Sequence, residues 1–450
     1  MSLKHIVVIC GIACFGLTGC EKTEDTVMKN LSFPSEIIFY PLEDEAKFSI
    51  TNSGSRSLML RFTFNELVNW RNSTETMQVL PEGETLEIDL KLNRLLITEE
   101  NQVMEITIYV PIAEQTIHIP VTIHSVLPMQ TPLNYNIVDA AYDDNSDRII
   151  AISSQPQNKL LAIYPVSGET QEILLNSRPL SMHLSNELRK VVVGQTDRFT
   201  IVDLASFTIV TESQTEKDNY AVFMPNENWL FSTPEYAYLN RINLNTGEIN
   251  INSYYGLMRF EQHPFRENAL LGSVMKLHPS MMDVYDISNE NFEKLYSSER
   301  GDDLRDVHDN FWLTRNKQLI ITRGKCVFTC SPVQEKDLQF VEMLSEGKVI
   351  NSMVHTDRFS QIATITRYQN VWLPGENDIL FYSVPNFSVT GKIPVPVVNP
   401  QPEGPSEGFF IFTDKAQKKL YVLAADHFEL FDATSWTLLN YNLEKLFTIP

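Results

Sequence analysis

Three stretches of the chain concentrate the side chains from which a binding site could be built. Tyr254-Tyr255-Gly256 offers two aromatic faces, residues 300–309 bring Asp302, Asp303, Arg305, Asp306, His308 and Asp309 together, and residues 366–377 combine Arg367 with Tyr368 and Trp372. Aromatic rings stack on apolar surfaces while Arg and carboxylates fix hydroxyls or charges, which is the composition of a platform for a sugar or a peptide. Tyr254, Tyr255, Arg305, His308, Arg367, Tyr368 and Trp372 are therefore the candidate ligand-binding residues. The acidic stretch has the donors for a metal or an acid–base pair, but five such residues in the eight from Asp302 to Asp309 also describe a solvated acidic loop. The reading favours the loop.

Other chemistries lack their motifs. The chain has no nucleophile elbow, zinc motif, phosphate loop or His-Glu-x-x-His pattern, so no catalytic residue, metal ligand or cofactor is assigned. Carboxylates converging from separate parts of the fold stay open, because one sequence does not display them. Asp143-Asp144-Asn145-Ser146-Asp147 has the Asp/Asn alternation of half a calcium loop, but it lacks the glycine and closing glutamate. A plain turn is expected there. Cys326 and Cys330 read as buried structural thiols, since on one strand they would lie roughly 13 Å apart, beyond disulfide reach.

The elements that must position these residues are strands. From Ser32 to Ile123 short runs such as Lys47-Phe48-Ser49-Ile50, Thr85-Leu86-Glu87-Ile88-Asp89-Leu90 and Ile117-His118-Ile119-Pro120-Val121 alternate apolar and polar residues. Separated by turns such as Asn52-Ser53-Gly54 and Pro81-Glu82-Gly83, they predict an immunoglobulin-like β-sandwich over residues 31–126. A linker is expected at 127–134, where Pro128 and Pro132 should interrupt a strand ladder.

From residue 135 to 450 a unit recurs with a period of roughly 40 to 50 residues, the spacing of propeller blades. Its second strands are Arg148-Ile149-Ile150-Ala151-Ile152, Lys190-Val191-Val192-Val193, Trp229-Leu230-Phe231, Ala269-Leu270-Leu271, Gln318-Leu319-Ile320-Ile321, Gln361-Ile362-Ala363-Thr364-Ile365 and Lys419-Leu420-Tyr421-Val422-Leu423. The fold class is thus all-β, a sandwich followed by a seven-bladed β-propeller, with the fifth unit the least regular. Aligning the units places Tyr142, His183, Phe223, His263, Leu313, His355 and Phe412 at one position. Three histidines sharing a slot with Tyr, Phe and Leu read as framework, not catalysis. The chain reverses at each strand, so loops entering the first strand and loops joining the second and third emerge on one face, and the three candidate stretches lie there.

The chain opens with Lys4 and His5, an apolar run Ile6 to Phe15, and Leu17-Thr18-Gly19-Cys20. The run is too short for a permanent membrane span, which takes roughly 20 residues, and ends in small residues as signal processing requires. Residues 1–19 are expected to leave as a signal peptide. Residues 20–30, beginning Glu21, Lys22, Thr23, Glu24 and Asp25 after Cys20, form an acidic tether. The formal charge of −21, from 57 acidic against 36 basic residues, argues against nucleic acid, whose phosphates need a basic footprint.

Four resemblances add to this. Leu-Thr-Gly-Cys resembles the bacterial lipobox, which implies acylation at Cys20 and a lipid anchor in the outer membrane. The acidic residues after it resemble the surface-export signal of Bacteroidetes lipoproteins, which implies the cell surface, with the periplasmic face as alternative. Thr51-Asn52-Ser53-Gly54, Asn69-Trp70, Leu80 to Leu86 and Ile106-Thr107-Ile108 resemble BACON-type sandwich domains, which implies carbohydrate binding or a spacer; Trp70 is read as core. Arg178 to Val193 and Leu420 to Thr434 resemble YVTN-type and WD40-like propeller repeats. The expected function is non-catalytic recognition or scaffolding, with a polysaccharide or a surface protein as partner. The alternatives are a propeller glycoside hydrolase or lyase and a structural component of an outer-membrane assembly.

Overall fold

The computed structural model describes residues 27–71, 76–234, 238–253, 257–274, 281–288, 292–299, 307–308, 310–345, 349–367, 378–398, 406–426 and 436–448. Residues 1–26, which include the expected signal peptide, Cys20 and the start of the tether, lie outside these residues. The chain divides into two compact units, Met1–Leu127 with Lys445–Pro450, and Pro128–Glu444.

The first unit is built of strands that bury every second residue. Gln115–His124 turns Ile117, Ile119, Val121 and Ile123 inward, and Thr85–Leu92 does the same with Ile88, Leu90 and Leu92, as period-two alternation requires of a half-buried strand. Four strands pair in the order Leu31–Ser32, Glu45–Asn52, Thr85–Leu92, Val68–Trp70, and five in the order Ile37–Phe39, Gln115–His124, Asn101–Val110, Leu58–Thr63, Met77–Leu80. Both sheets contribute to one core. Trp70 packs there, with its ring centre 5.3 Å from that of Phe62 and 6.2 Å from that of Phe64. His118 and His124, which have no evident partner in the sequence, meet Glu105 and Asn101 across the strands.

The second unit shows a different pattern, and it explains the architecture. In Arg148–Gln155 and Lys190–Gln195 the runs Ile149 to Ile152 and Val191 to Val193 are apolar and buried without a break, whereas Thr208–Gln214 is exposed throughout. A strand buried on both faces loses its alternation, so these inner strands must have neighbours on either side. Among the described residues the unit holds seven four-stranded antiparallel sheets, called blades 1 to 7 below, with strands a to d from the centre outward. The a strands are Asn136–Asp143, Pro179–Ser185, Ala221–Asn226, Leu257–Gln262, Phe311–Leu313, Val349–Thr356 and Glu407–Thr413.

Separate apolar cores join blades 1 and 2 through Ile150, Leu160, Val191 and Val202, blades 2 and 3 through Val192, Ile201 and Leu230, and blades 3 and 4 through Phe231, Leu270 and Tyr285. Others join blade 4 to 5, 5 to 6, and 7 to 1. At roughly 1.5–3 kcal/mol for each fully buried large aliphatic side chain, these cores supply the main force holding the ring.

The ring is closed by a segment that the sequence reads as a linker. Met129–Leu133 is strand d of blade 7, paired with Trp436–Asn442 from the far end of the chain, with Pro132 opposite Thr437. A proline is tolerated because this strand is the outer edge of its sheet and has a ladder partner on one side only.

In blades 1, 2, 4, 6 and 7 the pairing of strands a and b is interrupted near the start of strand a. Such bulges bend a strand and re-aim its side chains. At these points Asn351 Nδ2 donates to Phe409 O at 3.0 Å and Ser181 Oγ donates to Asn219 O at 3.0 Å, each reaching the next blade or the segment leading into it.

Candidate functional site

At the middle of the ring the a strands bring charged and polar side chains of non-neighbouring blades together. Asp139 of blade 1 accepts from Ala140 N at 2.8 Å and from Met182 N of blade 2 at 3.1 Å. His183 of blade 2 accepts at Nδ1 from Met224 N of blade 3 at 3.3 Å, with its ring 4.4 Å from that of Phe223. Arg259 of blade 4 donates to Glu261 Oε1 at 3.4 Å and acts electrostatically on both Asp139 and His183. All four are partly exposed by area, yet Asp139, His183 and Glu261 behave electrostatically as deeply buried groups. Side chains facing the narrow space at a ring centre combine these properties.

Burial raises the Asp139 and Glu261 carboxyls, with Arg259 opposing the rise in both. Burial pushes His183 down to about 3, and Arg259 adds to the shift. The imidazole is therefore neutral and serves as a backbone acceptor; its register differs from that of Tyr142 and His355, since it pairs with the third residue of strand b and they pair with the second.

The end of the ring formed by the turns between strands a and b is knitted across blades. Asp143 Oδ1 accepts from Asn145 N and Ser146 N at 3.0 and 3.3 Å. Its Oδ2 lies 3.0 Å from Arg148 Nε, and Arg148 also donates to the Leu204 carbonyl of blade 2. Asp147 accepts from Tyr142 OH at 2.5 Å and from Lys415 N of blade 7 at 3.1 Å, while Asp144 pairs with Arg315 of blade 5 at 3.6 Å. The calcium-like spacing thus sends its carboxylates in different directions, each to a group of the protein, and forms a turn. Two further polar contacts join blades on this side. Arg241 of blade 3 lies 3.8 Å from the centre of the Trp229 ring and donates to Ile287 O of blade 4, and His263 of blade 4 meets Asp337 of blade 5 at 3.0 Å.

The opposite end carries the expected loop face. Pairing of Pro179 with Gln195, Leu257 with Val274 and Val349 with Arg367 sets the start of strand a beside the end of strand b in each blade, so the connections there share one face. Arg367 closes strand b of blade 6, and His308, partly buried at φ 58°, lies between strand d of blade 4 and strand a of blade 5. Tyr254, Tyr255, Arg305, Tyr368 and Trp372 fall outside the described residues, as does the Arg367 side chain. The topology assigns the described candidates, His308 and the backbone of Arg367, to one face.

The described part of this face is an ordered polar rim at blades 2 and 3 that the sequence reading missed. Asn176 Nδ2 donates to both Glu212 oxygens at 3.0 and 2.9 Å, Arg198 Nε lies 3.0 Å from Asp197 Oδ1, and buried Asn219 donates to Gln195 O, Arg198 O and Thr215 Oγ1. Beside this hub Tyr220 keeps 51 % of its surface exposed and donates from its hydroxyl to Asp218 at 3.2 Å. The signal present in the sequence was Asp218-Asn219-Tyr220 just before a strand.

A ring of four-stranded sheets, closed by pairing an early strand with the last ones and offering one loop face, defines a β-propeller. Solved structures agree on the fold. The chain is similar to the Cps50 (Swd1) β-propeller domain of Myceliophteria thermophila, with a TM-score of 0.53 at 10 % identity, covering 69 % of this chain and 98 % of that one. A chain of the mitotic checkpoint complex is similar at a TM-score of 0.51 and 10 % identity, covering 70 % and 91 %. No protein family and no curated protein matches the sequence.

Proposed function

We propose that this protein is a lipid-anchored, non-catalytic recognition or scaffold protein whose propeller loop face takes a partner. The observation that carries the reading is how the ring spends its polar groups. His183, His263, Arg148 and Arg241 each bond from one blade to the next, whereas the loop end presents Tyr220 among Asp218, Asp197 and Arg198. An aromatic ring set among charges is the composition of a recognition surface. The mitotic checkpoint complex is an assembly, and a propeller of the same fold within it supports a protein partner here; a glycan is the alternative for the same surface. The first unit is read as an immunoglobulin-like, BACON-like spacer, and Cys20 as the acylated residue that tethers the protein to the outer membrane at the cell surface. Changing Cys20→Ala is expected to move the protein from the membrane to the soluble fraction, and an unchanged membrane fraction would overturn the anchor.

A second reading has its own support. Asp139 and Glu261, two carboxyls raised by burial, share the ring centre with Arg259, and a raised carboxyl is what a general acid needs. The reading would be a propeller hydrolase or lyase acting on an extracellular polysaccharide.

Binding of the purified protein to a panel of polysaccharides, each followed for new reducing ends or unsaturated products, separates these. Binding without products, weakened by Tyr220→Ala or Trp372→Ala and kept in Glu261→Gln, is the result expected of glycan recognition. No binding across the panel assigns the face to a protein. Products that disappear in Glu261→Gln sink the non-catalytic reading.

A further inference from the structure

The fifth repeat is the irregular one in the sequence, and the irregularity is an enlarged connection between strands c and d. Strand c ends at Thr329, strand d begins at Phe340, and between them runs an excursion with a single 3-10 turn, Gln334–Lys336. In blade 2 the same connection spans only 204–207. Most of the excursion is exposed, yet Cys330, Asp337 and Leu338 are buried, with Leu338 held in the left-handed region at φ 52°. An enlarged loop that folds back to bury a carboxylate needs a reason on the surface it covers. That surface is His263, at the end of strand a in blade 4.

Asp337 Oδ1 accepts from Ser331 N at 2.8 Å, and Oδ2 accepts from Tyr296 OH at 2.8 Å and from His263 Nε2 at 3.0 Å. The imidazole nitrogen of His263, the sulfur of Cys330 and a carboxylate oxygen of Asp337 lie within 4.8 Å of one another, and all three residues are buried. We propose that His263, Cys330 and Asp337 form a zinc site that pins the blade 5 excursion onto blade 4.

Imidazole nitrogen, thiolate sulfur and carboxylate oxygen are the donor types that Zn²⁺ takes in tetrahedral sites, whereas Ca²⁺ and Mg²⁺ select oxygen alone. With Zn–N and Zn–O near 2.0 Å and Zn–S near 2.3 Å, donors around one ion sit roughly 3.3–3.8 Å apart, so small side-chain movements within the observed cluster suffice. The Ser331 amide fixes one Asp337 oxygen and leaves the other for the ion, the second-shell arrangement that orients metal ligands. Charge also balances, since thiolate and carboxylate together neutralise the ion, as burial demands. The fourth position falls to the Tyr296 hydroxyl or to water.

Without metal, Phe265 N donates to His263 Nδ1 at 3.2 Å, so Nε2 carries the ring proton and gives it to Asp337. On binding, the ring proton moves to Nδ1, the Phe265 contact is given up, and the Cys330 proton leaves to solvent. One proton is released for each ion bound, and the His263–Asp337 and Phe265–His263 hydrogen bonds are exchanged for three metal–ligand bonds.

The test is titration of the chelator-stripped full-length protein with Co²⁺ alone, followed by optical spectroscopy. The expected result is uptake of one equivalent with tetrahedral ligand-field bands and a thiolate-to-cobalt charge-transfer band, both displaced by Zn²⁺. Cys330→Ala removes the charge-transfer band and Cys326→Ala keeps it. Asp337→Asn, which preserves volume, weakens Co²⁺ binding at least tenfold while its circular dichroism in chelator matches that of the unmodified chain. Failure of the folded, stripped protein to take up Co²⁺, or a charge-transfer band that survives Cys330→Ala, would overturn the proposal and leave a hydrogen-bonded clasp between blades.

Discussion

Replacing Arg148 by Met is the sharpest test of the view that buried charges fasten this ring. Arg148 opens strand b of blade 1, is 3 % exposed, and spends its guanidinium on Asp143 Oδ2 at 3.0 Å, on Tyr164 OH at 3.3 Å and on the Leu204 carbonyl of blade 2. Its central carbon also lies 5.3 Å from the centre of the Phe207 ring. Met keeps the apolar stem and removes every donor, so Asp143, which is wholly buried, is left with the two amides on its other oxygen. Removing one member of a buried ion pair costs about 3–5 kcal/mol, and the unpaired Leu204 carbonyl overlaps with that figure. A loss of about 4 kcal/mol is therefore expected. Arg148→Lys should recover little of it, because one ammonium does not reach three separated acceptors in the geometry of a planar fork. The paired change Asp143→Asn with Arg148→Met should recover about 2 kcal/mol, since the stranded charge is gone.

Urea midpoints give the sizes, and amide hydrogen exchange shows where the loss falls, with blades 1 and 2 opening first. A loss under about 1 kcal/mol, or a double variant as unstable as the sum of its parts, would refute the argument.

Three further outcomes follow from the structure. A methyl group added at Gly194 would lie 2.6 Å from the Asn219 carbonyl and 2.7 Å from Ser181 Oγ; Gly194→Ala should cost about 1–3 kcal/mol in melting experiments, and a neutral effect would show that the hub around Asn219 gives way freely. His183 has its folded pKa lowered from 6.5 to about 3, so the unfolded chain binds the proton first and the penalty grows as pH falls below 6.5. Between pH 7 and pH 5 the unmodified protein should lose up to about 2 kcal/mol relative to His183→Phe, less in proportion to the partial exposure of the ring, and parallel pH profiles would contradict this. Leu133→Ala, in the strand that closes the ring, should cost about 2–4 kcal/mol and speed exchange in Trp436–Asn442; unaltered exchange there would mean that closure rests elsewhere.

What the sequence made legible was the part written in local pattern. Alternation in strands such as Gln115–His124, and runs such as Ile149 to Ile152, follow from burial on one face or two, and they marked the two units and the repeat. The slot expected for His183, His263, His355 and the aromatic residues did not hold: His183 pairs with the third residue of its strand b and His355 with the second, while His263 lies past the end of its strand a, because turns of unequal length shift the register that the repeat spacing alone suggests. The closing strand was missed because Pro128 just before it and Pro132 within it signal a break, and its pairing with residues at the far end of the chain leaves no local trace. The His263, Cys330 and Asp337 cluster was equally hidden: His263 and Asp337 stand 74 residues apart, and no short motif spans that distance. Tyr220 went unremarked because a lone tyrosine beside a strand looks the same whether it is packed or displayed.

Joining Met129–Leu133 to Trp436–Asn442 also sets an order of events. Met129 pairs with Asn440, a separation of 311 positions, so the last blade stays incomplete until almost the whole chain has left the ribosome. Contacts this distant in sequence form slowly, and until they form, both strands offer bare ladder edges to any neighbouring chain. A truncation that removes Trp436–Asn442 therefore acts on the first strand of the propeller as much as on the last, and protection of that early segment until synthesis ends becomes a condition for yield.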